Sequence, residues 1–150
     1  MSGPAYHART HRPRYLGGTD PTTHAEWHVK VFADDEVVDA ADTRVPFVWL
    51  VPSSLDGCYV RDLAAMISSV SSSGDVVISV ENLGPGAGIG SITFDPIQID
   101  QGDYHSYDSG SPMQIGSSPQ GILTRGDRLS FTIDSDGTGA KGLLVIVVAA

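Results

Sequence analysis

The sequence has little cysteine, few basic residues and no long apolar run. Its one cysteine, Cys58, cannot form an internal disulfide, so packing must stabilise the fold, and we expect Cys58 to be a small core residue rather than a reactive thiol. Nine Lys and Arg against eighteen Asp and Glu give a net charge of -9, which argues against a general role in binding nucleic acid or anionic membranes. No apolar run approaches about 18 residues and no basic segment followed by an apolar one stands at the start. We therefore expect no membrane span and no secretion signal, and synthesis and folding inside a cell.

Glycine, proline and serine are abundant instead. There are 17 Gly and 9 Pro in 150 residues, and only 18% of the residues are charged. This composition favours short strands joined by turns over helices, which need Ala, Leu, Glu, Lys and Arg in quantity. The length suits one domain with one core. The sequence therefore predicts an all-β domain.

A change in composition near residue 25 divides the chain into two parts. Residues 1–24 contain several Pro, a Gly-Gly pair and no carboxylate before Asp20, and they hold three of the basic residues, Arg9, Arg12 and Arg14. Proline and glycine at these positions oppose a helix or a strand ladder. We predict an extended N-terminal arm at 1–24 and a β-sandwich domain at 25–150.

Strand patterns recur through the second part. The stretch EWHVKVF alternates Trp27, Val29 and Val31 against His28, Lys30 and Phe32, and RLSFTID alternates in the same way. The stretch CYVRDLAAMISSV fits either a strand or a helical stripe, and we predict a strand because β-type segments and Ser-rich turns surround it. IGSITFDPIQID predicts one or two short strands broken at Pro96. About eight strands at this spacing predict a jelly-roll-like antiparallel β-sandwich.

Two segments, VPFVWLV (45–51) and LLVIVV (143–148), are apolar at every position. A sandwich strand needs only one apolar face, and a second one left in water costs about 25 cal/mol per Å². We therefore predict that one face of each segment is covered by a symmetry mate, with a trimer favoured, or by the arm of a neighbour. The predicted oligomer interface comprises Val48, Leu50, Leu144, Val145, Ile146 and Val147, with the two alternating sets of the last strand still to be separated.

Candidate catalytic and metal-binding motifs are incomplete. DSDGTG (134–139) resembles part of a calcium loop, but Val145 stands where the closing Glu is needed, so a hairpin turn is the better interpretation. Two His-x3-His pairs (7 and 11, 24 and 28) have zinc-like spacing only on a helix, which the nearby prolines oppose. GPGAGIG (84–90) lacks the Lys-Ser/Thr of a phosphate loop, and no nucleophile motif singles out a serine. The sequence predicts no enzyme, no metal and no cofactor.

A long polar excursion at 101–125 contains Tyr104, His105 and Tyr107. Aromatic rings beside polar groups can stack on and hydrogen-bond a sugar, so a glycan-binding loop is one interpretation. A polar loop with its tyrosines packed on the rim of the sandwich is the other.

Three stretches, VPFVWLVPSSLDG, SSSGDVVISVENL and GDRLSFTIDSDGTGAKGLLVIVV, in this order and spacing resemble the small accessory virion proteins of tailed bacteriophages. The arm is similar to the His-x3-His, Gly-Gly-x-Asp-Pro stretch of phage tail and fibre chains, with RPRYL standing between His11 and Gly17. The resemblance covers roughly residues 27–148. It implies a jelly-roll-like virion protein without catalytic residues, on the exterior of the head or the tail.

The functional hypothesis follows from the basic arm and the acidic body. We expect a capsid decoration protein, made in the host cytoplasm, that binds and stabilises the head shell; a minor tail protein and a glycan-binding module for host attachment are the alternatives. The partner is the major capsid protein or another virion protein. The expected contacts are in the arm: Tyr6, Arg9, Arg12, Arg14 and Tyr15.

Overall fold

The computed structural model describes residues 25–84, 92–114 and 121–150. In these ranges the chain forms eight strands and two short 3₁₀ turns, at Ser53–Leu55 and Ser106–Asp108, and no α-helix. The strands are β1 (Ala25–Val37), β2 (Phe47–Leu50), β3 (Val60–Met66), β4 (Val76–Asn82), β5 (Ile92–Thr93), β6 (Ile97–Ile99), β7 (Arg128–Asp136) and β8 (Lys141–Ala149). The predicted all-β fold is confirmed, including the strand at β3 and the break at Pro96.

The strands form two antiparallel sheets. Sheet A has the order β1-β8-β3, and in sheet B the order is β2-β7-β4, with β6 and β5 pairing with the first and last residues of β4. A further bridge joins His105 to Met66 at the free edge of β3. The His105 segment can be counted as a very short outer strand of sheet A. With it, the strand order of the two sheets is the strand order of a jelly roll, which consists of two Greek keys.

The core lies between the two sheets and follows the alternation in the sequence. In β7 the side chains of Leu129, Phe131 and Ile133 are buried, as their spacing predicts. They meet the inward side chains of sheet A, among them Val145 and Val147 of β8. The two apolar layers therefore stabilise the sandwich without a disulfide, and Cys58 packs partly buried against this core.

One residue of β1 departs from the predicted alternation. Phe32 was expected on the same side as His28 and Lys30, but its side chain is fully buried next to the buried Val31. The register of β1 against β8 shifts on both sides of Phe32, which is the mark of a β-bulge. The extra residue turns Phe32 into the core, so that part of the alternation was wrong.

The connections between strands lie at two ends of the sandwich. At one end, called here the arm end, β1 starts at Ala25, β2 finishes at Leu50 and β7 starts at Arg128. At the opposite end, called the far end, the turn between β7 and β8 contains Gly137 and Gly139, both with positive φ. The predicted hairpin turn at DSDGTG is thus confirmed.

Candidate functional site

The outer surface of sheet A carries an apolar patch, called here the face patch. It consists of Leu144, Ile146 and Val148 of the central strand β8, which are half-buried, and of Met66 of β3, which is 43% exposed. In the ladder Leu144 lies between Lys30 and Met66, and Val148 lies between Glu26 and Asp62. An apolar centre with charged residues around it is the usual composition of a protein interface.

A second apolar patch, the edge patch, lies on β2 at the free edge of sheet B. Val48 and Leu50 point outward and are 47% and 63% exposed, whereas Phe47 and Trp49 point inward and pack against the core. The ring of Trp49 lies 6.0 Å from that of Trp27 across the two sheets. Strand β2 is therefore apolar on both faces, as its sequence indicates.

The predicted interface is only partly at the surface. Leu144 and Ile146 face outward, but Val145 and Val147 are 0% exposed between the two sheets. The prediction that Val145 and Val147 lie in an oligomer interface was wrong, because they fill the core of each copy. The alternation of β8 assigns its outer surface to Leu144, Ile146 and Val148.

The aromatic loop lies along the free edge of β3. Tyr104 and Tyr107 are 56% and 64% exposed, and the rings of His105 and Tyr107 are 6.0 Å apart. The Tyr107 hydroxyl donates a hydrogen bond of 2.7 Å to Asp62. This bond to a carboxylate, with some burial, raises the pKa of Tyr107 to about 12. The loop is thus held against sheet A with its rings in water.

A small cavity lies beside this loop. It has a volume of about 80 Å³, and Asp62, Gln98, Ser106 and Tyr107 contribute polar groups to its lining. Small-molecule pockets typically have volumes of about 300–1,000 Å³. The cavity is therefore too small to enclose a sugar ring.

Carboxylates gather at the far end. They come from four separate parts of the sequence: Asp34, Asp35, Glu36, Asp39, Asp42, Asp75, Asp100, Asp103, Asp134 and Asp136. The basic residues at this end are Arg44, Lys141 and Lys30, which pairs with Asp34 at 2.7 Å. Three arginines lie at the arm end together with five carboxylates: Arg61, Arg125 and Arg128 with Glu26, Asp56, Asp62, Glu81 and Asp127. The far end is therefore the more acidic end of the body.

An open cavity of about 520 Å³ lies within this acidic region, with Glu36, Asp42 and Arg44 among its lining residues. Arg44 donates to Glu36 at 2.8 Å and to Asp42 at 2.9 Å, and it lies over the Phe32 ring. These hydrogen bonds hold the pKa values of both carboxyls below their ordinary values. Arg44 is therefore a partner of these carboxylates rather than a free ligand for an anion.

The arm residues expected to make contacts lie outside the described residues, as do residues 85–90 of the glycine-rich stretch and residues 115–120 of the excursion. The arm and its Tyr6, Arg9, Arg12, Arg14 and Tyr15 stay a prediction.

Sequence reasoning missed Met66 and Asp62 as surface residues of sheet A. Their signal was present in the alternation of β3, where Asp62, Ala64 and Met66 share one side.

Within the described ranges, no group of three or more His, Cys, Asp or Glu side chains is arranged to hold a metal ion. Among the same residues there is no helix with the length and apolar character to cross a bilayer. Comparison of the chain with protein-family models, with curated proteins and with solved structures gives no match.

Proposed function

We propose that this protein is a non-enzymatic structural component of a tailed-phage virion, a decoration protein that attaches to the head shell and reinforces it. The observation that carries the proposal is the charge polarity of the body. The arm, with its three arginines, joins β1 at the arm end, and most carboxylates lie at the far end. An acidic protein lattice attracts the basic arm and repels the acidic far end.

This polarity supports one orientation on the particle. Arginine forms bidentate hydrogen bonds with carboxylates, so Arg9, Arg12 and Arg14 are suited to an acidic docking surface. The acidic far end then points into solvent. The buried core of the sandwich lies within the body, so we expect the fold to stay stable when the arm is bound to a partner.

The test measures occupancy of tagged protein on purified particles of the parent phage. Replacing Arg9, Arg12 and Arg14 together with Ala should reduce occupancy and make the remaining binding less dependent on salt. The control is Lys141→Ala, which removes a basic side chain at the far end and should leave occupancy unchanged. Full occupancy by the triple variant would contradict docking through the arm.

The location of the bound protein separates head from tail. Particles that lack the protein should assemble but break more readily on heating if it is a decoration protein. Density for the protein on the tail would favour the minor tail alternative. Absence from both head and tail would refute the virion assignment altogether.

A second candidate is a glycan-binding module, which the exposure of Tyr104 and Tyr107 favours, with Tyr107 lying beside the Asp62 carboxylate. Sugars stack on aromatic rings and donate hydrogen bonds to carboxylates. Binding on a glycan array that is lost in Tyr104→Ala and Tyr107→Ala, and kept in the arm triple variant, would support this candidate. Unchanged array binding in both tyrosine variants would exclude the loop as the glycan site.

A further inference from the structure

The border of the sandwich formed by β1 and β2 is incompletely covered. Among the described residues, seven apolar side chains that pack against the core are only partly buried, and five of them lie in or next to these two strands: Ala25, Trp27, Val45, Phe47 and Trp49. The rings of Trp27 and Trp49 lie 6.0 Å apart across the two sheets. Most of the core residues that the body leaves partly uncovered therefore lie along this one border.

The free edge of β2 adds backbone groups to the same border. Val51 donates its N–H to the Asp127 carbonyl and accepts the Gly126 N–H, so both of its backbone groups face β7. Backbone groups alternate in direction along an antiparallel strand, so the N–H and C=O groups of Val48 and Leu50 point away from β7. No strand among the described residues pairs with that side of β2. An edge of this kind, with exposed apolar side chains, is a template for a further strand.

One buried donor at this border has no acceptor. The indole Nε1 of Trp27 is inaccessible to solvent, and no described residue accepts a hydrogen bond from it. Buried polar groups in folded proteins almost always have a partner. Trp27 is the third residue of β1, close to the point where residues 1–24 join the strand. That segment is therefore well placed to bring an acceptor, such as a backbone carbonyl, to this nitrogen.

The arm lies outside the described residues, but its sequence contains a suitable pair. Tyr15 and Leu16 are the large apolar residues nearest to β1, since GGTDPTTH (17–24) contains none. Neighbouring residues of a strand point to opposite sides. In a strand laid along β2, one of these two side chains covers the tryptophans and the other lies beside the edge patch. The pair thus matches β2, which is itself apolar on both faces.

Distance and tethering favour the arm of the same chain over other occupants of this border. Leu16 is nine residues before Ala25, and nine residues can span roughly 30 Å. Strand β2 has four residues, which is roughly 13 Å, and packed sheets lie about 10 Å apart. The whole edge is therefore within reach. A segment joined by a short linker has an effective concentration on the order of millimolar, which exceeds that of a second copy at micromolar concentration.

We propose that the arm docks on the body of its own chain along the border of β1 and β2, with Tyr15 and Leu16 in an added strand on the free edge of β2. Pro13 suits this position, because the added strand is itself an edge strand and tolerates a missing N–H. Arg9 and Arg12 precede the docked pair and remain available to a partner. The inference does not depend on the virion assignment, since it uses only the border of the body and the sequence of the arm.

Tryptophan fluorescence reports on this border directly, because Trp27 and Trp49 are the two tryptophans of the chain. In the full chain, Tyr15→Ser combined with Leu16→Ser should shift the emission to longer wavelength and raise the acrylamide quenching constant, since both rings become more exposed. Tyr6→Ser is the matched control: it removes an aromatic ring farther up the arm and should change neither quantity. Circular dichroism establishes that the body stays folded. Wild-type emission and quenching in the double variant would overturn the proposal.

Disulfide cross-linking tests the position of the arm in a Cys58→Ser background. Leu50→Cys is combined either with Tyr15→Cys or with Leu16→Cys, and the proteins are mildly oxidised. Strand alternation predicts that one of the two arm positions forms a disulfide within a single chain and that the other does not. Val37→Cys in place of Leu50→Cys is the control. Val37 is 54% exposed and lies roughly 40 Å along β1 from its start, near the limit of the arm's reach, so it should cross-link far more slowly.

The cross-linking products distinguish the possible occupants of the border. A disulfide at neither arm position would overturn the proposal, and equal yields at both positions would refute the added strand. A disulfide that joins two chains would assign the border to the arm of another copy and contradict docking within one chain. Binding to particles does not enter these measurements, so their failure is separate from that of the proposed function.

Discussion

Removing the carboxylate of Asp127 tests a buried polar network at the arm end. Asp127 and Asn82 are 4% and 3% exposed at the arm end. One oxygen of Asp127 accepts hydrogen bonds from the Asn82 side-chain amide at 3.0 Å and from the Thr124 N–H at 2.9 Å. The Asn82 side-chain oxygen in turn accepts the Gly84 N–H at 2.9 Å. The network thus connects the end of β4 to the turn before β7.

The expected loss follows from the groups left without partners. Asp127→Ala leaves two donors without their acceptor: the Asn82 amide, which is buried, and the Thr124 N–H, which is partly buried. A buried donor costs about 1–3 kcal/mol when unsatisfied and a partly buried one costs less, so the free energy of unfolding should fall by roughly 2–4 kcal/mol. Asn82→Ala should cost a similar amount, because it removes a bond to a charged acceptor and leaves the Gly84 N–H unpaired. Asp127→Asn keeps an oxygen in the accepting position and should cost only about 1 kcal/mol.

Urea unfolding of the two alanine variants and of their double variant measures the coupling. The loss in the double variant should fall short of the sum of the single losses by about 1–3 kcal/mol, because the same bond is removed in both. Strict additivity would refute the network. An Asp127→Asn loss as large as that of Asp127→Ala would instead mean that the charge, and not the hydrogen bonds, stabilises this end.

Two further predictions concern a crowded glycine and an ionisable tyrosine. Gly142 has φ of +64°, and an added Cβ would lie 2.9 Å from the Asp34 Cα, so Gly142→Ala should destabilise the fold by roughly 2–5 kcal/mol. Gly139 has φ of +77° with open space around it, so Gly139→Ala should cost only about 1 kcal/mol. Equal urea midpoints for the two variants would contradict this contrast. The pKa of Tyr107 is raised to about 12, so the stability contributed by its bond to Asp62 should be complete below about pH 10 and lost as the pH rises through about 12. Asp62→Asn should shift one phenolate transition to lower pH, and identical absorbance titrations of the two proteins would contradict the bond.

Local patterns predicted most of the fold because they depend on one strand at a time. The alternation of Leu129, Phe131 and Ile133 assigns the inner surface of β7 without knowledge of its neighbours. The bulge at Phe32 escaped this reasoning because a register shift depends on the paired strand. Gly142 lies in β8 beside the shifted pairs and has a positive φ. A glycine within a strand can mark such an irregularity, but it indicates the bulge in β1 only once the pairing of the two strands is known.

The candidate surfaces were less predictable because they depend on long-range pairing. Tyr107 and Asp62 are 45 residues apart in sequence, and nothing local indicates that they share a hydrogen bond. The acidic far end is built from four segments that no composition window combines. The jelly-roll order brings them together because the β1–β2, β3–β4 and β7–β8 connections, and the segment after β6, all lie at that end.

The two segments that are apolar at every position, in β2 and β8, differ in how much of their outer surface is exposed. In β8 the outer side chains are half-buried within the single chain, because β8 is the central strand of sheet A and its neighbours cover their flanks. In β2 the outer side chains belong to an edge strand, so Leu50 remains 63% exposed. The same sequence pattern therefore leaves a larger unburied apolar surface on the shorter strand. For this reason a single charge placed at Leu50 should disturb the fold less than one placed on the outer surface of β8.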